Sequence, residues 1–492
     1  MSIAIIGSGI GSLTTALLLS KENISIDIYE ASDRVGGRLR SLEQGDYRID
    51  AGPTIVLLPE MLLSILEEGG LSLKEIELLP CDPLYDIHFS DGTTFTKYSD
   101  LGKQQQELMK TFPEDAASFD RFMTDMEEQY QFGKKMFLER SFSGAKDALR
   151  PQILHAFWKL KAYQTVRQRM KKYFTNPKLI DAYSLQTLYV GGNPAQSPAL
   201  YSLIPYSEHA HGIYYVKGGY ARLASILEKE LKKRGVRFFT STRVTNILHD
   251  EQQIRGVRVE EEDRLYDTVI YNGDLPAMQD LVSMGNMKKK SRSPKSYVPS
   301  SGCFLLYYGL EKTLEAPIHQ FFMPDHFLLH MQEVFTNKRL PTDPSFYTFY
   351  PSAIDDTLAP KGHSVLYVLV PVPSSDAVDW SRETDAFVEQ IEQELERRAF
   401  PGFKEAVVWR QIHTPADAKI EGLYEGGSFG IAPMLKQSGM FRPQMKPLPI
   451  HGLYAVGASI HPGGGIPIVM QGAKLLADHI KTTDAVRRPL NA

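Results

Sequence analysis

The chain has 492 residues, is 42% hydrophobic and 23% charged, and carries a formal net charge of −4. That balance is ordinary for a globular enzyme and gives no overall positive field to attract nucleic acid. Its two cysteines, Cys81 and Cys303, stand far apart and away from any metal-ligand spacing, which argues against a disulfide scaffold or a zinc site and for a reducing, cytoplasmic compartment.

The N-terminal apolar residues lack a basic flank and a small-residue cleavage site and are split by glycines, so they do not read as a signal peptide. No apolar run reaches the ~18–20 residues that a membrane-crossing helix needs. Instead "SIAIIG" predicts a buried parallel strand, "SLTTALLLS" a helix, and "ISIDIYE" a second strand ending at Glu30. Gly7 permits the tight strand-to-helix turn, and Gly9 leaves room for a pyrophosphate at the helix N-terminus. Ser12 occupies the third position of this glycine fingerprint, where only a small residue is required. Glu30 lies the expected ~20 residues on, where a carboxylate accepts the hydroxyls of an adenosine ribose and repels a 2′-phosphate. This unit alone leaves NAD and FAD open.

"ASDRVGGRLRS" follows at once. Gly36 and Gly37 let the backbone approach a ligand, and Arg38 offers a planar fork to phosphate. "YRIDAGPTIV" adds Gly52 and Pro53, a constrained turn able to pass close to a flat ring. Two such motifs so soon after Glu30 fit an extended FAD better than NAD.

Residues 148–180 contain no Asp or Glu, yet hold Arg150, Lys159, Lys161, Arg167, Arg169, Lys171, Lys172 and Lys178. Phe157, Trp158, Tyr163, Tyr173 and Phe174 interleave with them. The pattern suits a helix lying on an anionic bilayer; a solvated helical face is the bland alternative. Further on, "YVKGGYARLASILEKELKKRGVRFFTSTRVTNILHD" predicts a turn, an amphipathic helix and strands, with Val244 a candidate to lie against adenine. "RLYDTVIYNGDLPA" predicts another strand and turn, and "KKKSRSPK" a solvated linker. "CFLLYYGL", "FYTFYPS" and "VLYVLVPVP" predict strands with much apolar surface, for a core or for a tunnel. At the far end, "LYAVGASIHPGGGIPIVMQGAKLLADHI" repeats the scheme of strand, glycine turn and helix through Gly457, Gly465, Ile466 and Pro467. A helix N-terminus there favours negative charge, as on a reduced flavin. Glycine-opened βα units at both ends of the chain suit one nucleotide domain assembled from distant segments.

Together "GSGIGS" with Glu30, "RVGGR", "DAGPTIV", "LYVGGNP", "GIYYVKGG" and "HPGGGIP" resemble the bacterial carotenoid (phytoene desaturase-like) flavoproteins over nearly the whole chain. "PTIVLLPE" and "FLERSF" look most like the branch acting on the C30 polyene 4,4′-diapophytoene. Ser12 and Ile460 depart from the glycine and threonine usual in that family. The resemblance implies an α/β fold: a Rossmann-like, amine-oxidase-like FAD domain built from 1–80, 211–285 and 416–492. A helical insert and substrate- and membrane-facing region would span 81–210 and a mixed-sheet substrate-binding domain 286–415. It implies an FAD-dependent desaturase of a long apolar polyene, peripheral to the cell membrane, with quinone or oxygen as possible electron acceptor. A C40 phytoene desaturase and a terminal-methyl oxidase stay open beside it, as do amine oxidation on the same fold and a non-catalytic binding role. By the same resemblance Asp147 is the candidate acid or base, with Arg150 and Lys146 beside it. An i,i+3 surface ion pair is the competing account. His461 is a candidate to orient the cofactor.

Overall fold

The computed structural model describes residues 1–142, 147, 150–250, 252–282 and 297–485. Lys146 and the "KKKSRSPK" run lie outside the described residues.

A five-stranded parallel sheet forms the base, in the order Leu453–Ala455, Thr268–Tyr271, Ser2–Ile6, Ser25–Tyr29, Arg237–Phe239. Three stretches of sequence hundreds of residues apart thus share one sheet, as the paired glycine turns implied. The strands are mostly apolar because both faces are covered, with Asp27 buried against Arg237 at the sheet edge. Ile3 and Ile5 point to helices Ile10–Leu19, Tyr220–Lys233 and Ile466–Ala485, meeting Leu17, Leu227 and Leu476. Ala4 and Val269 point the other way, toward Val244 and Val257 of an antiparallel three-stranded sheet.

A seven-stranded mixed sheet stands beside this unit. Its order is Val407–His413, Gly302–Leu310, Ser364–Val372, Phe346–Phe349, His319–Phe322, Tyr85–His88, Thr94–Lys97. The last two strands come from 81–210, the region expected to be helical, and only Tyr85–His88 pairs in parallel with its neighbour His319–Phe322. Strand periodicity divides the apolar residues between two cores. Phe304, Leu306 and Tyr308 enter one with the helix Trp380–Glu394, while Leu305, Tyr307, Tyr347 and Tyr367 enter the other. This second core continues into the helices of the insert through Phe119, Phe122, Tyr173, Phe174 and Tyr183.

The basic stretch folds into helices Pro151–Lys159, Val166–Met170 and Pro177–Ala182. Its aromatic residues do not share one face. Tyr173 and Phe174 are buried in the core, whereas Trp158 is 64% and Tyr163 46% exposed, their rings 5.0 Å apart. Its charges are also partly used internally: Arg167 pairs with Asp181, Lys159 with Glu128 and Lys178 with Asp91, and Arg169 is buried. Among the described residues no helix is long and apolar enough to cross a membrane.

Candidate functional site

The first turn is built around glycine for reasons of space. Gly7 has φ +88°, and a Cβ on it would lie 2.8 Å from the Asn272 carbonyl oxygen. A Cβ on Gly9 would lie 2.9 Å from one terminal atom of the Asn272 side-chain amide, and one on Gly457 2.9 Å from the other. Asn272 follows the strand Thr268–Tyr271 and joins the two glycine-opened units. Its amide donates to the Val456 carbonyl at 3.1 Å and accepts from Gly9 N at 3.2 Å and the Ser12 hydroxyl at 3.0 Å. The single Ser12 proton is shared between that amide oxygen and the Gly7 carbonyl, 2.6 Å away. The hydroxyl at the third fingerprint position therefore has a structural use, which its small size alone did not reveal. Asn272 itself was missed, because "VIYNGD" reads as an ordinary strand-to-turn transition.

"RVGGR" closes over this turn. Gly9 and Gly36 form a parallel bridge, and Gly36 N donates to the Ser8 carbonyl at 3.2 Å. Gly36 and Gly37 both have positive φ, and a Cβ on Gly37 would come within 3.2 Å of Gly9 Cα. Glu30 accepts from Ser8 N at 2.8 Å, the Ser8 hydroxyl at 2.7 Å and Ser32 N at 2.9 Å. The carboxylate thus sits beside the fingerprint turn. The Thr242 amide donates to the Glu30 carbonyl at 2.8 Å, which brings the segment entering the strand of Val244 alongside it.

Arg38 lies 3.3 Å from Asp274, whose buried carboxylate also accepts from Tyr424 N at 2.9 Å and the Ser459 hydroxyl at 3.1 Å. The Arg38 Nε is buried without a hydrogen bond among the described residues. Gly52 backs onto the same segment: a Cβ there would lie 2.2 Å from the Arg38 carbonyl oxygen. Asp50, just before it, accepts from Tyr220 N at 2.9 Å and Ala221 N at 3.2 Å, holding the N-terminus of helix Tyr220–Lys233. Burial pushes its carboxyl up to about 7, against those two donated bonds.

At the C-terminal turn Gly457, Gly463 and Gly465 have positive φ. Cβ atoms on Gly463, Gly464 and Gly465 would have no neighbour closer than 3.8 Å, so the loop presents open backbone at the start of helix Ile466–Ala485, with Pro467 in its first turn. His461 is buried beneath, its Nε2 2.9 Å from the Arg140 carbonyl oxygen and its ring 5.0 Å from that of Phe142. Burial lowers its pKa to about 4, so it is neutral at pH 7. Arg140 and Phe142 thus pack on the His461 ring. Asp147 is buried and pairs with Arg150 at 2.8 Å, while Arg150 is 64% exposed, so the pair is i,i+3 but its carboxylate is not on the surface. Among the described residues no cluster of His, Cys, Asp and Glu could hold a metal ion.

These residues fit FAD. The first and last glycine turns meet at Asn272, the turn of Gly36 bridges Gly9, the helix after Gly9 has no side-chain cap on its free amides, and Arg38 Nε has no hydrogen bond among the described residues. Such an assembly of distant segments defines a flavin oxidoreductase of the amine-oxidase type.

Sequence comparison agrees. The profile of the flavin-containing amine oxidoreductases matches residues 13–481, and the chain belongs to that family. It is 49% identical over 481 residues to a 4,4′-diapolycopen-4-al dehydrogenase of Metabacillus indicus, covering 98% of this chain and 97% of that one. It is 32% identical over 494 residues to a 4,4′-diaponeurosporene-forming 4,4′-diapophytoene desaturase of Staphylococcus haemolyticus, covering 97% of this chain and 98% of that one. Among solved structures, an oxidoreductase from Methanosarcina mazei aligns with TM-score 0.68 at 16% identity, covering 97% of this chain and 100% of that one. Putrescine oxidase aligns with TM-score 0.65 at 14% identity, covering 98% and 99%. At those identities the structural likeness speaks for the fold. The protein is a flavin-dependent oxidoreductase.

Proposed function

We propose that the chain oxidises a linear, C30 carotenoid-type polyene at a membrane surface. The observation that carries this reading is how the aromatic face of the seven-stranded sheet is fastened to the cofactor segments. The Tyr307 hydroxyl donates to the Ala51 carbonyl at 2.7 Å, and the Thr54 and Tyr347 hydroxyls meet at 2.8 Å. An apolar chain held against Tyr307, Tyr347 and Tyr367 would therefore lie beside the turn of Gly52 and Pro53. Half-buried Ile55, Leu57, Leu188, Phe429 and Ile468 pack around the same core and supply further apolar contacts.

Gly7, Gly9, Ser12, Glu30, Gly36, Gly37 and Arg38 would hold the dinucleotide part of FAD, with Val244 against adenine. Gly52, Pro53, Gly457, Gly465, Ile466 and Pro467 would hold the ring system. Bound FAD supplies the hydride acceptor. The protein's share is to exclude water, orient the chain and handle a proton, for which Asp147 is the candidate. The exposed Trp158 and Tyr163, together with the exposed Lys171 and Lys172 of the same basic stretch, would meet anionic lipid, and a quinone or oxygen would reoxidise the cofactor.

Two substrates are compatible with this reading. The sequence motifs favour desaturation of 4,4′-diapophytoene. The 49% identity to a diapolycopenal dehydrogenase, against 32% to a desaturase, favours oxidation at the chain terminus. The FAD-reconstituted protein should be incubated with liposomes carrying 4,4′-diapophytoene or 4,4′-diapolycopen-4-al, under oxygen and with a quinone, and the products separated by chromatography. New double bonds support the first and a carboxylic acid the second. Neither product under either acceptor rejects the proposal. Loss of turnover in Asp147→Asn at unchanged flavin content would support its proton role, and full turnover would end it.

A further inference from the structure

A buried cation lies behind the last glycine turn. Arg442 follows the short turn Gly439–Phe441 and is 4% exposed. Among the described residues its N–H groups donate to two carbonyl oxygens, that of Gln437 at 3.1 Å and that of Ala458. Its Nε is buried and makes no hydrogen bond there. A guanidinium stays protonated in proteins, and arginine is almost never fully buried unless it is paired. The carboxylate whose charge reaches it, that of Asp274, already pairs with Arg38 at 3.3 Å. Among the described residues no further carboxylate pairs with either arginine, so Arg38, Arg442 and Asp274 together carry a charge of +1. Two carbonyl dipoles do not replace a missing anion.

The segment that carries Arg442 is strapped to the turn. His461 N donates to the Pro443 carbonyl at 2.8 Å, and Ala455 N donates to the Met445 carbonyl at 2.9 Å. With the bond to Ala458, these hold the guanidinium against the loop of Gly457 to Gly465. A Cβ on Gly463 would lie 3.8 Å from Arg442 Nε and 3.9 Å from its Cζ. His461 on the same loop adds no charge: burial first, and the charge of Arg442 after it, lower its pKa to about 4.

We propose that the Arg442 guanidinium makes the last glycine loop favour the reduced flavin ring over the oxidised one. A hydride carries two electrons and one proton. The C–H bond that yields it breaks, an N–H bond forms, and one negative charge is left on the ring, while the second hydrogen leaves the substrate as a proton. That negative charge is what the loop lacks, and a buried charge is little screened by salt. The N-terminus of helix Ile466–Ala485 acts with the same sign. Arg442 acts through the loop and is a tuning residue for the cofactor, whichever polyene is the substrate. The inference rests on the placing of the ring system at this loop, proposed above.

The test is the reduction potential of FAD bound to the full-length protein, measured by equilibration with a reference dye beside free FAD. Wild type should bind reduced FAD at least tenfold more tightly than oxidised FAD, a potential about 30 mV above that of free FAD. Arg442→Gln keeps a donor for the carbonyls and removes the charge, and this preference should fall at least tenfold. Arg442→Met takes its place if the glutamine variant does not fold. A merely structural arginine would weaken both forms alike and leave the preference within twofold of wild type. That result, or wild-type FAD no easier to reduce than free FAD, overturns the proposal. Gly464→Ala reports on the ring separately, because its methyl meets no protein atom beyond its chain neighbours closer than 3.8 Å. It should weaken oxidised FAD at least tenfold if the ring lies against the loop. With that loss and an unchanged potential in the Arg442 variants, the charge inference alone falls. With neither effect, the placing of the ring falls with it.

Discussion

Asn272→Leu is the most direct probe of how the cofactor cradle is held. Leucine matches asparagine in size and removes the donor to Val456 and the acceptor for Gly9 N and Ser12. At about 1 kcal/mol for each of the bonds to Val456 and Gly9, and a fraction of that for the shared Ser12 proton, the loss totals about 2 to 3 kcal/mol. Asn272 is only half buried, and water can rescue part of this, so about 2 kcal/mol is the better expectation. The first and last glycine turns meet through this side chain, and the loss should therefore fall on FAD binding as well as on folding. Two kcal/mol corresponds to about a thirtyfold weaker Kd. Titrating the apoprotein with FAD by flavin fluorescence quenching measures it, with Ser12→Ala as a milder comparison that spares the Val456 and Gly9 bonds. Asn272→Asp should be worse than leucine, since it cannot donate to Val456 and sets a negative charge where a pyrophosphate would lie. A leucine variant that binds FAD within threefold of wild type would refute the reasoning.

The remaining predictions concern other parts of the same assembly. Asp50 has its folded pKa raised from 3.8 to about 7, so its stabilising contribution is complete below about pH 3.8 and is lost as pH rises through about 7. The stability advantage of wild type over Asp50→Asn should then grow by up to about 1.4 kcal/mol per unit as pH falls from 7 to 5, and urea melts showing a constant gap would contradict this. Glu30→Ala removes the carboxylate beside Ser8 and should weaken FAD binding at least tenfold while leaving FMN, which has no adenosine, unaffected; equal losses for both would remove Glu30 from the ribose site. For membrane docking, Trp158→Ser with Tyr163→Ser, combined with Lys171→Glu and Lys172→Glu, should abolish flotation with anionic liposomes. Those exposed residues are the better choice because Lys159 and Arg167 already have acidic partners, and undiminished flotation would discard the docking surface.

The cofactor half of the molecule was legible because its demands are local. A turn that must pass a pyrophosphate needs glycine at particular places, and apolar strands on either side announce themselves by composition. Gly7, Gly9, Gly36, Gly37, Gly52 and Gly457 all stand where a Cβ would meet backbone or side chain within 3.2 Å. What sequence did not reveal is the partner that each glycine makes room for: Asn272 under three of them, and Asp274 gathering Arg38, Tyr424 and Ser459. Such residues act at long sequence separation, and a single Asn or Asp after a strand carries no pattern of its own.

The substrate half was harder to read for a different physical reason. Alternating apolar strands look the same whether a face packs on a helix or on a ligand, and Phe304 and Tyr307 belong to opposite cores only because the sheet is covered twice. The basic stretch misled in part because helical burial, invisible in composition, took Tyr173, Phe174 and Arg169 inward and left Trp158 and Tyr163 outside. Lys97 is the sharpest case. In "TFTKYS" it reads as the solvent-facing residue of an edge strand, the position where lysine is commonest. The strand is indeed at the sheet edge, but helices of the insert lie over it, and the charge is sealed in with Glu208. A buried pair of this kind is rarely retained for stability alone, since an apolar pair of similar volume does as well or better.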